Sequence, residues 1–244
     1  MAAAERLLTT SGPGSVSMDG VAAAAGAGKM SAYRHFASKE DLVAAALERH
    51  NPRHVRWLVG ASQAARPGHD IDAGLVPADP DPADPDPADP DPADPAPAAD
   101  TAHPYPALAD PAESMLSAFG RLESAAGSEP FRGCPFVDAA LAAPGTDDRP
   151  GRIAWAHKQQ VARELARLAA RAGLPEPVEL GAAVALVIDG AAVQAALAPD
   201  AASRQQIVRR ARRAAEILLA VAARRARDER PGAGKRRVRP GGQS

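Results

Sequence analysis

The sequence predicts an all-α protein, and three observations carry that reading. Hydrophobic residues make up 45% of the 244-residue chain, yet alanine supplies most of them and aromatics only 3%. Alanine is the best helix former, while the β-branched residues that favour sheet are scarce. Between the Gly and Pro breaks, the remaining apolar residues recur at helical spacing. The length allows one large or two small domains with a core that needs no covalent staple.

The elements follow in order. Ala2 to Thr9 reads as a short helix stopped by Ser11-Gly12-Pro13-Gly14. Ser17 is a suitable N-cap for a helix from Met18 to Ala25, in which Met18, Val21, Ala22 and Ala25 share a face, and Gly26 supplies its stop. Gly28 opens a third helix to Phe36. Ser38-Lys39-Glu40-Asp41 resembles a capping box, so a fourth helix starts at Lys39, with Leu42, Val43, Ala46 and Leu47 at helical spacing. Pro52 is expected to kink or end it, because proline lacks the amide donor. Residues 1–48 thus read as a domain of short helices of helix-turn-helix form, and 49–72 as a connecting helix.

From Ala73 the chain repeats Ala-Asp-Pro-Asp-Pro three times before the pattern degenerates. Aspartates repel one another and proline has no donor, so 73–110 reads as a disordered or polyproline-like insertion. Helical pattern resumes at Pro111, a good first-turn residue, with Met115, Leu116, Phe119 and Leu122 in one stripe. Gly127 to Pro130 breaks it. Phe131 to Phe136 leads into a short element, Val137–Ala142, before a helix from Arg149 to Ala172 that Gly173, Pro175 and Pro177 close. Two long helices, Val178–Leu197 and Ala201–Arg227, are separated only by Ala198-Pro199-Asp200, which makes them antiparallel neighbours. The first is apolar nearly all round and needs more cover than one helix gives, most simply a second subunit. Residues 111–228 therefore read as a ligand-binding and dimerisation domain, and 229–244 as a basic disordered tail.

The formal net charge is −1, but it is unevenly spread. Residues 1–60 carry seven Lys/Arg against five Asp/Glu, 61–111 one against eleven, and 231–244 four against none. Two mildly basic ends flank an acidic middle, so near-neutrality does not exclude a nucleic-acid partner. One cysteine rules out an intramolecular disulfide. No apolar run approaching membrane-spanning length and no charged-then-apolar leader is evident, so the expected location is the cytoplasm, with no membrane partner.

The informative unit is helix, glycine turn, helix: Met18 to Ala25, then Gly26-Ala27-Gly28, then Lys29 to Phe36. This is the form of a helix-turn-helix that reads duplex DNA. Such a reading helix needs exposed polar and cationic side chains near its start, and Lys29, Ser31, Tyr33 and Arg34 supply them, while Met18 and Phe36 can face inward. The run Tyr33-Arg34-His35-Phe36-Ala37-Ser38-Lys39-Glu40-Asp41-Leu42 resembles the signature of the TetR family of transcriptional regulators. Arg132-Gly133-Cys134-Pro135-Phe136-Val137, the Ala172-Gly173-Leu174 turn and Asp189-Gly190-Ala191 are similar to features of the ligand-binding domains of that family.

The resemblance implies that Lys29, Met30 and Tyr33 face the major groove while Ser17, Ser31, His35 and Lys39 touch phosphates. Lys39 sits in the first turn of a helix, whose free amides also attract phosphate. It further implies a homodimer, double-stranded operator DNA as partner, and an unknown small-molecule effector that relieves repression. The chain departs from the family pattern at Gly28, where a serine cap is usual, and at Ala32, where a larger aliphatic residue is usual. The alternative is a TetR-like ligand-binding or interaction protein with weakened or lost DNA binding.

Other readings carry less. Gly28-Lys29 is shared with phosphate loops, but Ala23, Met30 and the absence of a preceding strand argue against one. His50 and His54 have metal-ligand spacing with no third ligand evident, and are read as solvated. Cys134 reads as a small apolar residue, with a redox-sensing thiol beside Arg132 as the sharper option. Trp57, Met115, Phe119, Phe136 and Trp155 are candidates to line a ligand cavity, and Gly181, Ala185, Leu186, Val193, Ile217 and Leu218 to form the dimer interface. No catalytic residues, cofactor or metal are expected, since no nucleophile elbow or ligand cluster is present.

Overall fold

A computed structural model describes residues 1–60, 110–142 and 149–229, apart from the side chains of Lys29 and Asp110. The Asp-Pro repeat and the basic tail, with the disorder expected of them, lie outside the described residues. Nine α-helices are described: α1 Ala2–Ser11, α2 Met18–Ala24, α3 Lys29–His35, α4 Lys39–Val59, α5 Asp110–Ala126, α6 Pro135–Ala142, α7 Arg149–Arg171, α8 Pro177–Leu197 and α9 Ala201–Asp228. A 3-10 turn, Pro13–Ser15, joins α1 to α2. No strand occurs among the described residues.

The helix ends have local causes. Ser17 Oγ accepts the Gly20 amide at 3.0 Å and Ser38 Oγ accepts that of Asp41 at 3.0 Å, each satisfying a free first-turn donor. α2 ends in a paired reverse bond: Ala27 N–H donates to Ala22 C=O at 2.9 Å and Gly26 N–H to Ala23 C=O at 3.1 Å. That closure needs a left-handed residue, and Gly26 has φ 63°. The helix-turn-helix is therefore specified by one hydroxyl before it and one glycine within it.

Pro52 does not end the fourth helix, which runs unbroken to Val59. The missing amide leaves the Glu48 carbonyl without its helical donor, but Glu48 and Pro52 both lie on the exposed face, where water can serve it. The continuity matters because α4 enters two cores. Leu42, Val43, Ala46 and Leu47 pack with Leu8, Val16, Met18 and Val21. One turn beyond Pro52, Val55, Leu58 and Val59 join Met115, Phe119, Leu165, Val184, Ile188 and Leu219 in the larger bundle of α5, α7, α8 and α9. The first core is not made by the N-terminal residues alone, since Phe136 and Ala139 of α6 and Ala154 of α7 complete it.

Polar ties reinforce this arrangement. Glu5, only 8% exposed, binds α1 to α4 through Arg49 at 2.9 Å and through Arg53. Arg149 at the start of α7 reaches Asp41 at 3.3 Å and Glu48 at 3.1 Å, both on α4.

α8 is long and apolar enough to cross a membrane by length and composition, with a mean hydropathy of 1.8 over its best window. That departs from the absence of a membrane-length apolar run expected above. The helix packs against α5, α7 and α9 and buries Leu180, Val184, Ile188 and Ala195 among them, while Leu186, Val193 and Leu197 stay exposed. Gly181 makes the closest approach: a Cβ there would lie 2.4 Å from Ala166 N and 2.8 Å from Ala162 O of α7.

Candidate functional site

Helix α3 stands outward from its core. Met30 is 73% exposed and Tyr33 49%, Arg34 and His35 are exposed, and Ser31 is half-buried. Ala32 and Phe36 turn inward against the N-terminal core, as the alternation of polar and apolar positions requires. Ser17 is exposed at the start of α2 and uses only its acceptor side in capping, so its hydroxyl hydrogen is left to donate. Lys39 Nζ lies 3.5 Å from Gly14 C=O, at the N-terminal end of α4. The backbone places Lys29 at the first position of α3.

The second feature is a cavity of about 390 Å³, within the range of small-molecule sites. Its walls come from α4 (His50, His54, Trp57, Leu58), from the segment between α5 and α6 (Pro130 to Cys134), and from Lys158 of α7 and Ile188, Asp189 and Ala192 of α8. Thr9 of α1 also reaches it. The continuous α4 thus carries residues of both the N-terminal core and the cavity wall.

The polar groups at this wall are ordered. Lys158 Nζ donates to Asp189 Oδ1 at 2.6 Å and to Cys134 Sγ at 3.2 Å. Burial opposes the lysine charge, but the Cys134 sulfur and the Asp189 carboxylate together outweigh it and raise the ammonium above its ordinary value. Arg132 Nε pairs with Asp138 Oδ2 at 3.1 Å.

His50, His54 and His157 surround Phe136, and their environment keeps them neutral. Burial pushes His54 down to about 3 and His157 down to about 2, with the neighbouring histidines and Lys158 acting in the same direction, and burial also lowers His50. Asn51 Nδ2 donates to Gln160 at 2.9 Å, which turns its oxygen to accept His157 Nδ1–H at 2.6 Å. Among the described residues, buried His50 Nε2, His54 Nδ1 and His157 Nε2 have no hydrogen-bond partner. Among the described residues no three His, Cys, Asp or Glu side chains are placed to hold a metal.

Sequence reasoning and geometry part company at several of these residues. Of the five aromatic and methionine candidates for the cavity, Trp57 lines it. Met115, Phe119 and Phe136 are fully buried in the cores, and Trp155 is 68% exposed on α7. Hydrophobic character alone could not separate core from cavity wall. His50 and His54 are half-buried rather than fully solvated, because α6 and α7 cover part of that side of α4 with Phe136 and His157. Lys158 and His157 were missed, and Asp189 was singled out only within the run Asp189-Gly190-Ala191, without a partner. A lysine and a histidine adjacent in a predicted helix read as its solvated face, and only the fold turns them inward.

At the candidate interface, Gly181 and Ala185 are buried within this chain, Gly181 directly against α7. Leu186 is 73% exposed, Val193 46%, Ile217 50% and Leu218 36%.

A capped helix-turn-helix whose second helix faces outward is thus joined to a helical bundle that carries a cavity. Residues 1–46 match the sequence model described as bacterial regulatory proteins, tetR family. The whole fold agrees. A TetR-type transcriptional regulator from Streptomyces avermitilis is similar at 23% identity over 91% of this chain and 94% of its own, with a TM-score of 0.60. A TetR-family regulator from Streptomyces coelicolor is similar at 20% identity over 91% and 93%, with a TM-score of 0.62. The reduced form of NemR from E. coli is similar at 16% identity over 86% and 91%, with a TM-score of 0.52. No curated protein matches the chain.

Proposed function

We propose that the protein is a homodimeric repressor that binds operator DNA through α3 and releases it when a small molecule enters the cavity. The observation that carries the reading is the exposed face of α3. Met30 and Tyr33 are large apolar or aromatic side chains left in solvent beside Ser31 and Arg34, which a purely structural helix would have no reason to present. Lys29, Met30, Tyr33 and Arg34 read base edges, while Ser17, Ser31, His35 and Lys39 hold phosphates.

The cavity supports an effector because α4 runs from its wall into the N-terminal core. Leu186, Val193, Ile217 and Leu218 support a dimer through α8 and α9, since they leave apolar area uncovered on two adjacent antiparallel helices. Two reading helices related by a two-fold axis would meet half-sites spaced by about 34–36 Å, one turn of DNA or a multiple of it.

Selection from a pool of random duplexes tests the reading. Enrichment of a two-fold symmetric site is expected, and recovery of the pool without enrichment would overturn it. The rival of a ligand-binding protein without DNA affinity then stands.

A further inference from the structure

We propose that the cavity selects an uncharged, largely apolar molecule bearing one oxygen acceptor, such as a ketone, which accepts a hydrogen bond from Lys158 Nζ. The inference rests on reading the cavity as an effector site and adds the chemistry of its ligand.

Two facts about the wall lead there. The first is charge balance. Of the charged side chains at the wall, Lys158 is paired with Asp189, and Arg132 with Asp138 beside the lining, so each cation already faces a carboxylate. The imidazoles of His50 and His54 add nothing, being held neutral by burial. A ligand of either charge would enter a site with no counter-charge to spare, and burying an uncompensated ion is costly.

The second is an unspent donor. An ammonium has three hydrogens, and among the described residues Asp189 and Cys134 take two. The side chain is only 19% exposed and lines the cavity, so the third hydrogen has little access to bulk water. A ligand oxygen would satisfy it, whereas a purely apolar ligand would bury it unpaired. Trp57, Phe131, Leu58 and Ile188 offer the apolar surface for the remainder of the molecule.

Calorimetric titration of the full chain with four naphthalene derivatives of matched size decides the matter. Acetylnaphthalene supplies the neutral acceptor, ethylnaphthalene lacks it, naphthoate is an anion and naphthylmethylamine a cation. Acetylnaphthalene should bind about tenfold more tightly than each of the others, the increment of a hydrogen bond to a charged donor. Lys158→Met with Asp189→Asn removes both charges together, avoids an orphaned carboxylate, and should bring acetylnaphthalene down to the level of ethylnaphthalene.

Tightest binding of either charged probe, equal binding of all four, or a preference that survives the double variant overturns the ligand class and leaves the effector cavity standing. Binding of none of the four, by protein that still binds its selected DNA site, overturns the cavity reading as well.

Discussion

The rings of Phe136 and His157 lie face to face, their centroids 3.8 Å apart and their planes 8° from parallel. One belongs to α6 and the other to α7, so the stack joins the helix that completes the N-terminal core to the bundle. A neutral imidazole suits this position. Protonation at Nε2 would place a charge in a buried site with no acceptor.

Stability should therefore fall with acid in a definite window. His54 and His157 have folded values of about 3 and about 2, mainly through burial, against an ordinary 6.5. Below pH 6.5 the unfolded chain binds protons that the folded chain refuses, so stability is intact above that pH and is lost as pH falls. The slope should be roughly 1 kcal/mol or more per pH unit for each imidazole. Thermal melting between pH 7 and 5 checks this, and His157→Phe should flatten part of the slope. A melting temperature unchanged across that range would contradict the buried neutral cluster.

A pair of glycine substitutions on α8 tests its packing. Gly181→Ala puts a methyl into the backbone of α7 and should cost about 1–3 kcal/mol or more, seen as a drop of several degrees in melting temperature. Gly190→Ala meets nothing within 4 Å and should be neutral or slightly stabilising through helix propensity. Equal effects at the two positions would contradict the close approach of α8 to α7.

Much of this architecture was legible in the chain because it is locally encoded. Ser17, Gly26 and Ser38 set helix ends through bonds that span three to five positions, so the helix-turn-helix follows from short stretches of sequence. The cavity does not. Lys158 meets Cys134 and Asp189 from 24 and 31 residues away, and His157 meets Asn51 from 106, contacts that no local pattern contains. That α4 does not end at Pro52 has a related reason: whether a lost helical bond stops a helix depends on which face of α4 is wet. The burial of Gly181 likewise follows from a distant helix, while the small residues of α8 fitted either α7 or a second copy.

The reading face should divide into residues that position the protein and residues that discriminate. Lys39→Ala should weaken binding to all duplexes about equally, and reduce the salt dependence by about one released counterion. Tyr33→Ala should also change which sequences are preferred, at a cost of about 1–3 kcal/mol for the preferred site. Repeating the duplex selection with each variant is the check. A shifted consensus with Lys39→Ala would reverse the assignment.

The central claim is that sequence-specific DNA binding needs two copies joined through α8 and α9. Leu186 tests it cleanly: it is 73% exposed in the single chain, so Leu186→Asp should leave the monomer folded, yet in a dimer it would bury a carboxylate among apolar side chains. The decisive measurement is fluorescence anisotropy of the labelled selected duplex, titrated with wild-type protein and with Leu186→Asp at one salt concentration. The account predicts tight binding by the wild type and a loss on the order of a hundredfold or more in the helical variant, since each copy then grips one half-site. Equal affinity of the two proteins for the two-fold site would contradict it.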